Sequence, residues 1–256
     1  MVELWNKVRL LDERTEEYIA MQHYASELDD SVFKQEDQDE VILCLNYDGL
    51  YGINNINRFL QNDNPNRAIN WDSWVYKVGD PVIFNEQNRF YPTLYNNLKG
   101  WIRGINKTAV AIEFDVEVDM ALNEFGASAA GFELLDCDIP GHSMIRFSVN
   151  HYVDDDAREK QSDEVVPFQV AYAISIHKAQ GLEYNSVKVI VTNGIEELIT
   201  HNIFYTAITR ARKKLKIYWT PETQHKVITE MNPISCKKDA YVLANKYGLQ
   251  ILNNTD

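Results

Sequence analysis

Two short segments of the chain hold the side chains that could do chemistry. In the first, residues 171–184, an apolar stretch ends in Ser175, His177 and Lys178, and Gly181 follows. Hydroxyl, imidazole and ammonium groups are donors that proteins present to phosphate oxygens, and a glycine permits a close backbone approach. A polar corner between a strand and a helix, with a solvated lysine, accounts for the same residues. The residues alone leave both interpretations open.

The second segment, residues 203–215, contains a cluster of cations. They are Arg210, Arg212, Lys213, Lys214 and, just beyond the segment, Lys216. Cations near the C-terminus of a helix interact favourably with the helix dipole, by roughly 0.3–1 kcal/mol each. That interaction explains the lysines well, but it does not explain the order Thr-Arg-Ala-Arg at residues 209–212.

The charge of the chain is unevenly distributed. Its 256 residues carry a formal charge of −13, which taken alone argues against a nucleic-acid partner. The acidic segments 29–40, 113–138 and 154–164 together carry −17, whereas residues 168–219 carry +4. Acidic runs are usually solvated loops and faces, and the charge of a whole chain describes a single surface poorly. The acidic composition therefore does not exclude nucleic acid at the basic segments.

Strands and helices alternate on both sides of the middle of the chain. We expect strands at Val41–Tyr47, Ala171–Ile176, Val187–Thr192 and Leu215–Trp219, and helices at residues 1–30, Ile53–Gln61, Thr200–Ala211, Pro221–Glu230 and Lys238–Tyr247. Continuous apolar runs are typical of strands that are buried on both faces of a parallel sheet. The pattern predicts an α/β fold, a mainly parallel sheet covered by helices. Because ligands bind beyond the carboxyl ends of such strands, we expect residues 175–178 on a binding edge.

The middle of the chain has a different pattern. Strands are expected at Val82–Phe84, Ala109–Val118, Phe132–Leu135 and Ile145–Tyr152, and apolar and acidic residues alternate strictly within residues 110–118. Alternation indicates a sheet with one buried face, and short strands with Gly and Asn turns favour a small antiparallel β-barrel. We therefore predict an inserted barrel at residues 75–165, an α/β domain of residues 41–74 plus 166–256, and a helical lead-in with an acidic linker at 1–40.

Several classes of protein are disfavoured by the sequence. No apolar run approaches the length of a membrane span, and the N-terminus lacks the apolar core of a signal peptide. The cysteines Cys44, Cys137 and Cys236 are odd in number and widely spaced, which argues against a disulfide framework or a zinc site. A reducing cytoplasm is the simplest expected location, and we expect no metal ligands in this chain.

Together, the two segments resemble motifs V and VI of superfamily 1 helicases. His-Lys-Ala-Gln-Gly-Leu-Glu at residues 177–183 and Tyr-Thr-Ala-Ile-Thr-Arg-Ala-Arg at residues 205–212 are similar to strings of the UvrD-like and RecD-like C-terminal motor domains. Residues 46–65 resemble the motif IV region of RecD-like members, and residues 76–102 are similar to the small barrel inserted in that domain. The resemblance covers residues 41–219 and implies a RecA-like fold.

The resemblance implies a nucleotide-binding role for four residues. Arg210 matches the motif VI arginine that reaches across the interdomain cleft to the γ-phosphate. A planar, permanently charged guanidinium suits charge that builds on transferring phosphoryl oxygens. Gly181 and Glu183 match the motif V positions near the ribose and phosphates, and Gln180 matches the RecD-like form of that motif.

The resemblance also implies nucleic-acid-binding residues and partners. Ser175 and His177 match motif V positions that face the nucleic-acid backbone, and Lys178 and Thr206 are predicted to join them. The expected partner is single-stranded nucleic acid, DNA rather than RNA.

One motif that the family requires is absent from this sequence. No Gly-x-x-x-x-Gly-Lys-Ser/Thr string occurs, although a P-loop needs that lysine and hydroxyl for the phosphates and Mg²⁺. We therefore expect the C-terminal half of an ATP-dependent helicase, with ATP and Mg²⁺ held mainly by a missing N-terminal motor domain. By itself this chain is predicted to be inactive. The alternative is a non-catalytic module, derived from a helicase, that binds nucleic acid or protein.

Overall fold

The computed structural model describes residues 31–48, 51–85, 89–151, 163–191, 199–219 and 221–230. The helices predicted at residues 1–30 and 238–247 lie outside the described residues. No helix within the described ranges is long and apolar enough to cross a membrane.

The described elements are twelve strands and four helices. The strands are β1 (Glu40–Cys44), β2 (Ile69–Trp71), β3 (Trp74–Tyr76), β4 (Pro81–Phe84), β5 (Lys99–Lys107), β6 (Ala111–Val118), β7 (Glu133–Leu135), β8 (Ser143–Asn150), β9 (Phe168–Val170), β10 (Ala173–Ser175), β11 (Tyr184–Ile190) and β12 (Ala211–Tyr218). The helices are α1 (Ile53–Asp63), α2 (Glu124–Ala130), α3 (His201–Ile208) and α4 (Pro221–Glu230).

A parallel sheet of four strands, in the order β10-β1-β11-β12, joins residues from both sides of the middle of the chain. All five residues of β1 are buried, as expected for a central strand covered on both faces. Helix α1 buries Ile53, Ile56 and Leu60, whose spacing places them on one face. The predicted α/β fold is confirmed.

Helix α1 begins at a position that only glycine can occupy. A Cβ atom on Gly52 would lie 2.4 Å from the carbonyl oxygen of Asp48, so any other residue would force the chain apart there. One side chain of α1 also fastens the edge of the sheet. The Asn57 amide donates to Ala173 O and accepts from Ala173 N, both at 2.8 Å.

A second sheet is antiparallel and has the order β7-β8-β6-β5-β4-β9. Alternate residues of β8 are buried, and the buried face belongs to an aromatic core that includes Phe84, Phe114, Phe147 and Phe168. The pairings among the described strands run from β7 to β9 without closing a ring. The antiparallel insertion is therefore present, while its closure into a barrel, and the predicted domain boundaries, stay predictions.

Two local predictions were wrong. Helix α3 ends at Ile208 rather than Ala211, and β12 begins at Ala211 rather than Leu215 because Ala211 pairs with Tyr184. The lysines and Arg212 after Ala211 therefore lie on a strand, and the helix dipole does not explain them. Strand β5, which begins at Lys99, is not among the strands expected from the sequence.

The acidic segments are less solvated than their composition indicates. Glu40 is buried beside Lys188, with 2.9 Å between Oε1 and Nζ. Glu117 is buried against Arg103 at 2.7 Å and His142 at 2.7 Å. These carboxylates join elements together, because an unpaired charge would be costly at such positions.

The inserted sheet is attached to the parallel sheet through the buried carboxylate of Asp80, which has no exposed surface. Oδ1 accepts from Asn64 Nδ2 at 2.8 Å and from the Tyr172 hydroxyl at 2.8 Å. Oδ2 accepts from Gln61 Nε2 at 2.6 Å and from the Lys77 amide at 2.9 Å. Burial raises the pKa of Asp80, and the four hydrogen bonds oppose that rise. The donors come from α1, from the segment before β4 and from the segment that enters β10.

Replacing Asp80 by Asn should destabilise the fold strongly. In either orientation the amide would direct its NH₂ group toward two donors, so we expect the free energy of unfolding to fall by about 2–3 kcal/mol. Denaturant unfolding of the purified chain measures this loss. The same exchange at the exposed Asp63 of α1 is the control and should change stability by less than about 0.5 kcal/mol. Equal effects of the two substitutions would contradict the role assigned to Asp80.

Candidate functional site

The register of the parallel sheet separates the predicted site residues onto two edges. Ser175 lies beside Cys44, the last residue of β1, whereas Ser186 lies beside Glu40, the first. Tyr184 is two residues further back and pairs with Ala211. At about 3.3 Å per residue, Ser175 and Tyr184 are therefore about 20 Å apart along the strand direction.

The carboxyl edge carries Ser175, His177 and Lys178. Ser175 is only 8% exposed, and its hydroxyl accepts from the Lys178 amide at 3.3 Å. Lys178 Nζ donates to Oε1 of Gln169, on strand β9 of the inserted sheet, at 2.9 Å, and His177 is exposed. Ser175 thus shapes the turn, while His177 and Lys178 present donors to the surface.

The loop of residues 176–183 connects the two edges and begins as a single tight turn. Ala179 N donates to Ser175 O at 3.2 Å, and Gln180 N to His177 O at 3.2 Å. Gln180 and Gly181 are exposed. Gly181 has φ +86° and no atom within 4 Å of a Cβ built on it, so this position needs glycine for its left-handed backbone. The close backbone approach that a glycine permits stays a prediction.

Arg210 lies at the amino edge, where its guanidinium is fixed by three acceptors. Nε donates to Thr206 O at 2.9 Å, Nη1 to Leu182 O at 2.9 Å and Nη2 to Thr209 Oγ1 at 3.1 Å. The Arg210 carbonyl also accepts from the Tyr184 amide at 2.9 Å. A guanidinium has five N–H groups. Among the described residues the remaining two, one on each terminal nitrogen, have no partner, so the group is oriented and can still bind an anion.

Glu183 is held beside Arg210 by a second arginine. Arg212 Nε donates to Glu183 Oε2 at 2.7 Å, and the two side chains are 57% and 55% exposed. The hydrogen bond from Arg212 lowers the pKa of Glu183, and the same bond raises the pKa of Arg212. Glu183 is therefore an oriented carboxylate that solvent, or a ligand hydroxyl, can reach.

The structure brings some predicted residues together and separates others. Gly181, Glu183 and Arg210 gather at the amino edge, and Ser175, His177 and Lys178 gather at the carboxyl edge. Thr206 lies with Arg210, because its carbonyl accepts the Arg210 Nε bond. The described residues contain no group of three or more His, Cys, Asp or Glu side chains placed to hold a metal ion.

Lys99 is a residue of this region that the sequence did not reveal. Its Nζ donates to Glu183 O at 2.8 Å and to Asp39 Oδ1 at 2.9 Å, and it lies 3.0 Å from Asp119 Oδ2. Lys99 and Glu183 are 84 residues apart, so no local pattern connects them. The acidic run that contains Asp39 was interpreted as a solvated linker, which concealed the pairing.

Comparison with known proteins identifies a family for the two segments. Residues 170–218 match the family described as UvrD-like helicase C-terminal domain. The RecBCD enzyme subunit RecD of Buchnera aphidicola (subspecies Schizaphis graminum) is 26% identical over 188 residues, which cover 71% of this chain and 25% of RecD. The uncharacterized protein MJ1519 of Methanocaldococcus jannaschii is 25% identical over 213 residues, 79% of this chain and 16% of MJ1519. The predicted resemblance is confirmed, and the chain spans a quarter or less of these relatives.

A solved structure with a similar arrangement is that of the Pif1 helicase from Bacteroides in complex with ADP-AlF3 and ssDNA. It aligns with a TM-score of 0.45 and 14% identity over 84% of this chain and 47% of Pif1.

The stability of Gly181 variants should depend on how well the new residue tolerates the left-handed backbone and not on the size of its side chain. Gly181→Ala should cost about 1–2 kcal/mol of stability, because a Cβ disfavours the left-handed region. Gly181→Asn should cost less, since Asn tolerates that region although it is larger. Denaturant unfolding of both variants measures the order. An Asn variant less stable than the Ala variant would indicate that space, not φ, selects glycine here.

Proposed function

Since residues 170–218 match the UvrD-like helicase C-terminal domain, we propose that this chain is the second motor domain of an ATP-dependent helicase or translocase. An N-terminal motor domain holds ATP and Mg²⁺ in this proposal, and the present chain completes the site from across the cleft. The arrangement at Arg210 supports the proposal most directly. Its guanidinium binds Leu182 O beside Glu183 and keeps two N–H groups for an anion.

The chemistry of this half of the site follows from the residues at the amino edge. Arg210 directs donors at a phosphate without reorganising, because three hydrogen bonds already fix its plane; preorganised donors stabilise the charge that develops in a transition state. Glu183 accepts from ribose hydroxyls. Bound ATP with Mg²⁺ supplies the phosphoryl group that is transferred to water.

The carboxyl edge is the proposed binding surface for a single strand of DNA. His177 and Lys178 bind phosphates there, and the Ser175 hydroxyl holds the turn from which they project. Phosphate contacts position a strand without reading its sequence, as a translocating motor requires. Because residues 176–183 connect this edge to Glu183, a change in the nucleotide site is transmitted to the bound DNA.

Arg210→Ala should remove most of the ATPase activity of a motor that contains both domains. Arginine fingers contribute about 10³–10⁵ in rate, so we expect the DNA-stimulated kcat to fall by at least about 10³-fold. Arg210→Lys should recover little, since an ammonium cannot reproduce the planar fork. Steady-state ATP hydrolysis with oligo(dT) measures both rates.

Lys213→Ala is the matched control for Arg210. It removes one positive charge three residues away, from an exposed position on β12, and should leave kcat within about twofold. An unchanged kcat in the Arg210→Ala motor would show that Arg210 does not act on the transferred phosphate.

Lys178→Met should weaken the binding of single-stranded DNA by this chain and should lower the salt dependence of that binding. Each phosphate contact to a single strand contributes about 0.7 to the slope of log K against log salt, and one such contact should be lost. Fluorescence anisotropy with oligo(dT) measures the slope, and oligo(U) tests the preference for DNA. Lys107→Met, on the inserted sheet, is the control. A larger effect at Lys107 than at Lys178 would place the strand on the inserted sheet.

A further inference from the structure

We propose that Lys99 is a positioning residue, through which the inserted sheet fixes the segment Leu182–Asn185 and couples its own orientation to the nucleotide site. The coupling rests on the proposed function in one respect, the role of Glu183 toward nucleotide. The contact of Lys99 with this segment is independent of that role.

The Lys99 ammonium donates hydrogen bonds to the Glu183 carbonyl and to Asp39, and forms a further ion pair with Asp119. The distances from Nζ are 2.8 Å to Glu183 O, 2.9 Å to Asp39 Oδ1 and 3.0 Å to Asp119 Oδ2. The side chain is 10% exposed, so solvent cannot easily replace these partners. Two carboxylates would suffice to neutralise the charge. The neutral carbonyl of Glu183 is the acceptor that fixes the position of the peptide.

Asp39 extends the same clamp along the segment. Its Oδ2 accepts from the Asn185 amide at 3.1 Å, and its backbone oxygen accepts from the Ser186 amide at 3.2 Å. Because Lys99 holds the other carboxylate oxygen of Asp39, removal of the ammonium weakens the anchor of Asn185 as well. The acidic segment before β1 and the inserted sheet therefore grip the start of β11 together.

Other contacts of the segment Leu182–Asn185 come from the amino edge of the parallel sheet. Arg210 binds Leu182 O and accepts from the Tyr184 amide, and Arg212 binds the Glu183 carboxylate. The Lys99 ammonium also lies 4.8 Å from the centre of the Tyr184 ring, a favourable position for a cation over an aromatic face. A displacement of the inserted sheet therefore pulls the Glu183 peptide away from the Arg210 side. Its consequence is a misplaced Glu183 carboxylate, while Arg210 keeps its bonds to Thr206 O and Thr209 Oγ1.

Hydrogen exchange of the full chain tests the clamp directly. In Lys99→Met we expect the amides of residues 184–186 to exchange about tenfold faster, since one charge-assisted anchor is lost, while strands β6 and β8 keep their protection. Lys107→Met is the matched control: it lies on the same strand β5, but its Nζ binds Asn70 O on strand β2. It should leave residues 184–186 unchanged. Unchanged exchange in Lys99→Met would overturn the proposal.

A second pair of variants keeps the test decisive if Lys99→Met loses protection throughout the chain. Asp39→Asn retains Lys99 and weakens the carboxylate that receives the Asn185 amide, so faster exchange should again be confined to residues 184–186. Lys99→Arg retains the charge and the donors, and its exchange should stay within about threefold of the parent chain. Global loss in both variants, with no effect particular to residues 184–186, would show that Lys99 is only a packing residue.

Kinetics of the two-domain motor test the coupling to nucleotide. Lys99→Met should raise KM for ATP about fivefold with kcat within about twofold, because Glu183 moves while Arg210 keeps its bonds to Thr206 O and Thr209 Oγ1. Glu183→Gln should show the same split, and the double variant should be no worse than either single one. A KM effect in Glu183→Gln alone would refute the coupling and leave the proposed function intact. Faster exchange in Lys99→Met with no KM effect in Glu183→Gln would refute the role of Glu183 and leave the clamp intact.

Discussion

The buried carboxylate of Asp80 is the constraint on which the joining of the two sheets depends. A charge without solvent contact is tolerated only when donors surround it, and its four donors come from every part of the chain that meets at the junction. Gln61 and Asn64 end helix α1, Lys77 precedes β4, and Tyr172 begins the return to β10. The insertion therefore leaves and rejoins the parallel sheet at one fixed point. The more distant contacts, of Lys99 with Glu183 and of Lys178 with Gln169, depend on that orientation.

The two groups of proposed functional residues lie on opposite edges of the parallel sheet. Strand β10 ends at Ser175 while β11 and β12 begin near Glu183 and Arg210, so the loop between β10 and β11 has to run back along the sheet. The loop has eight residues. One end carries the donors that are proposed to bind single-stranded DNA, and the other end carries the carboxylate that is proposed to bind the nucleotide. Each end also contacts the inserted sheet, through Gln169 and through Lys99. The insertion thus supports the loop at both of its ends.

The sequence predicted those features that local pattern encodes. The apolar runs of β1 and β11, the alternation in β6 and the strings around His177 and Arg210 gave the α/β fold, the antiparallel insertion and a family. Local pattern failed where a distant partner decides the outcome. Ala211 begins β12 because Tyr184 pairs with it, and Lys99 can be buried because the Asp39 carboxylate neutralises its charge. The left-handed backbone of Gly181 likewise depends on the path of the loop of residues 176–183. The residues next to this glycine do not specify that path.

The amide of Asn57 has a further consequence for the behaviour of the protein in solution. It occupies both the N–H and the C=O of Ala173, the groups that an outer strand such as β10 would otherwise offer to another molecule. At the other end of the described sheet, β12 carries Lys213 and Lys214, and charged side chains discourage edge-to-edge pairing. Both borders of the described parallel sheet therefore disfavour strand addition. These edges therefore lower the tendency of the domain to aggregate by pairing strand to strand.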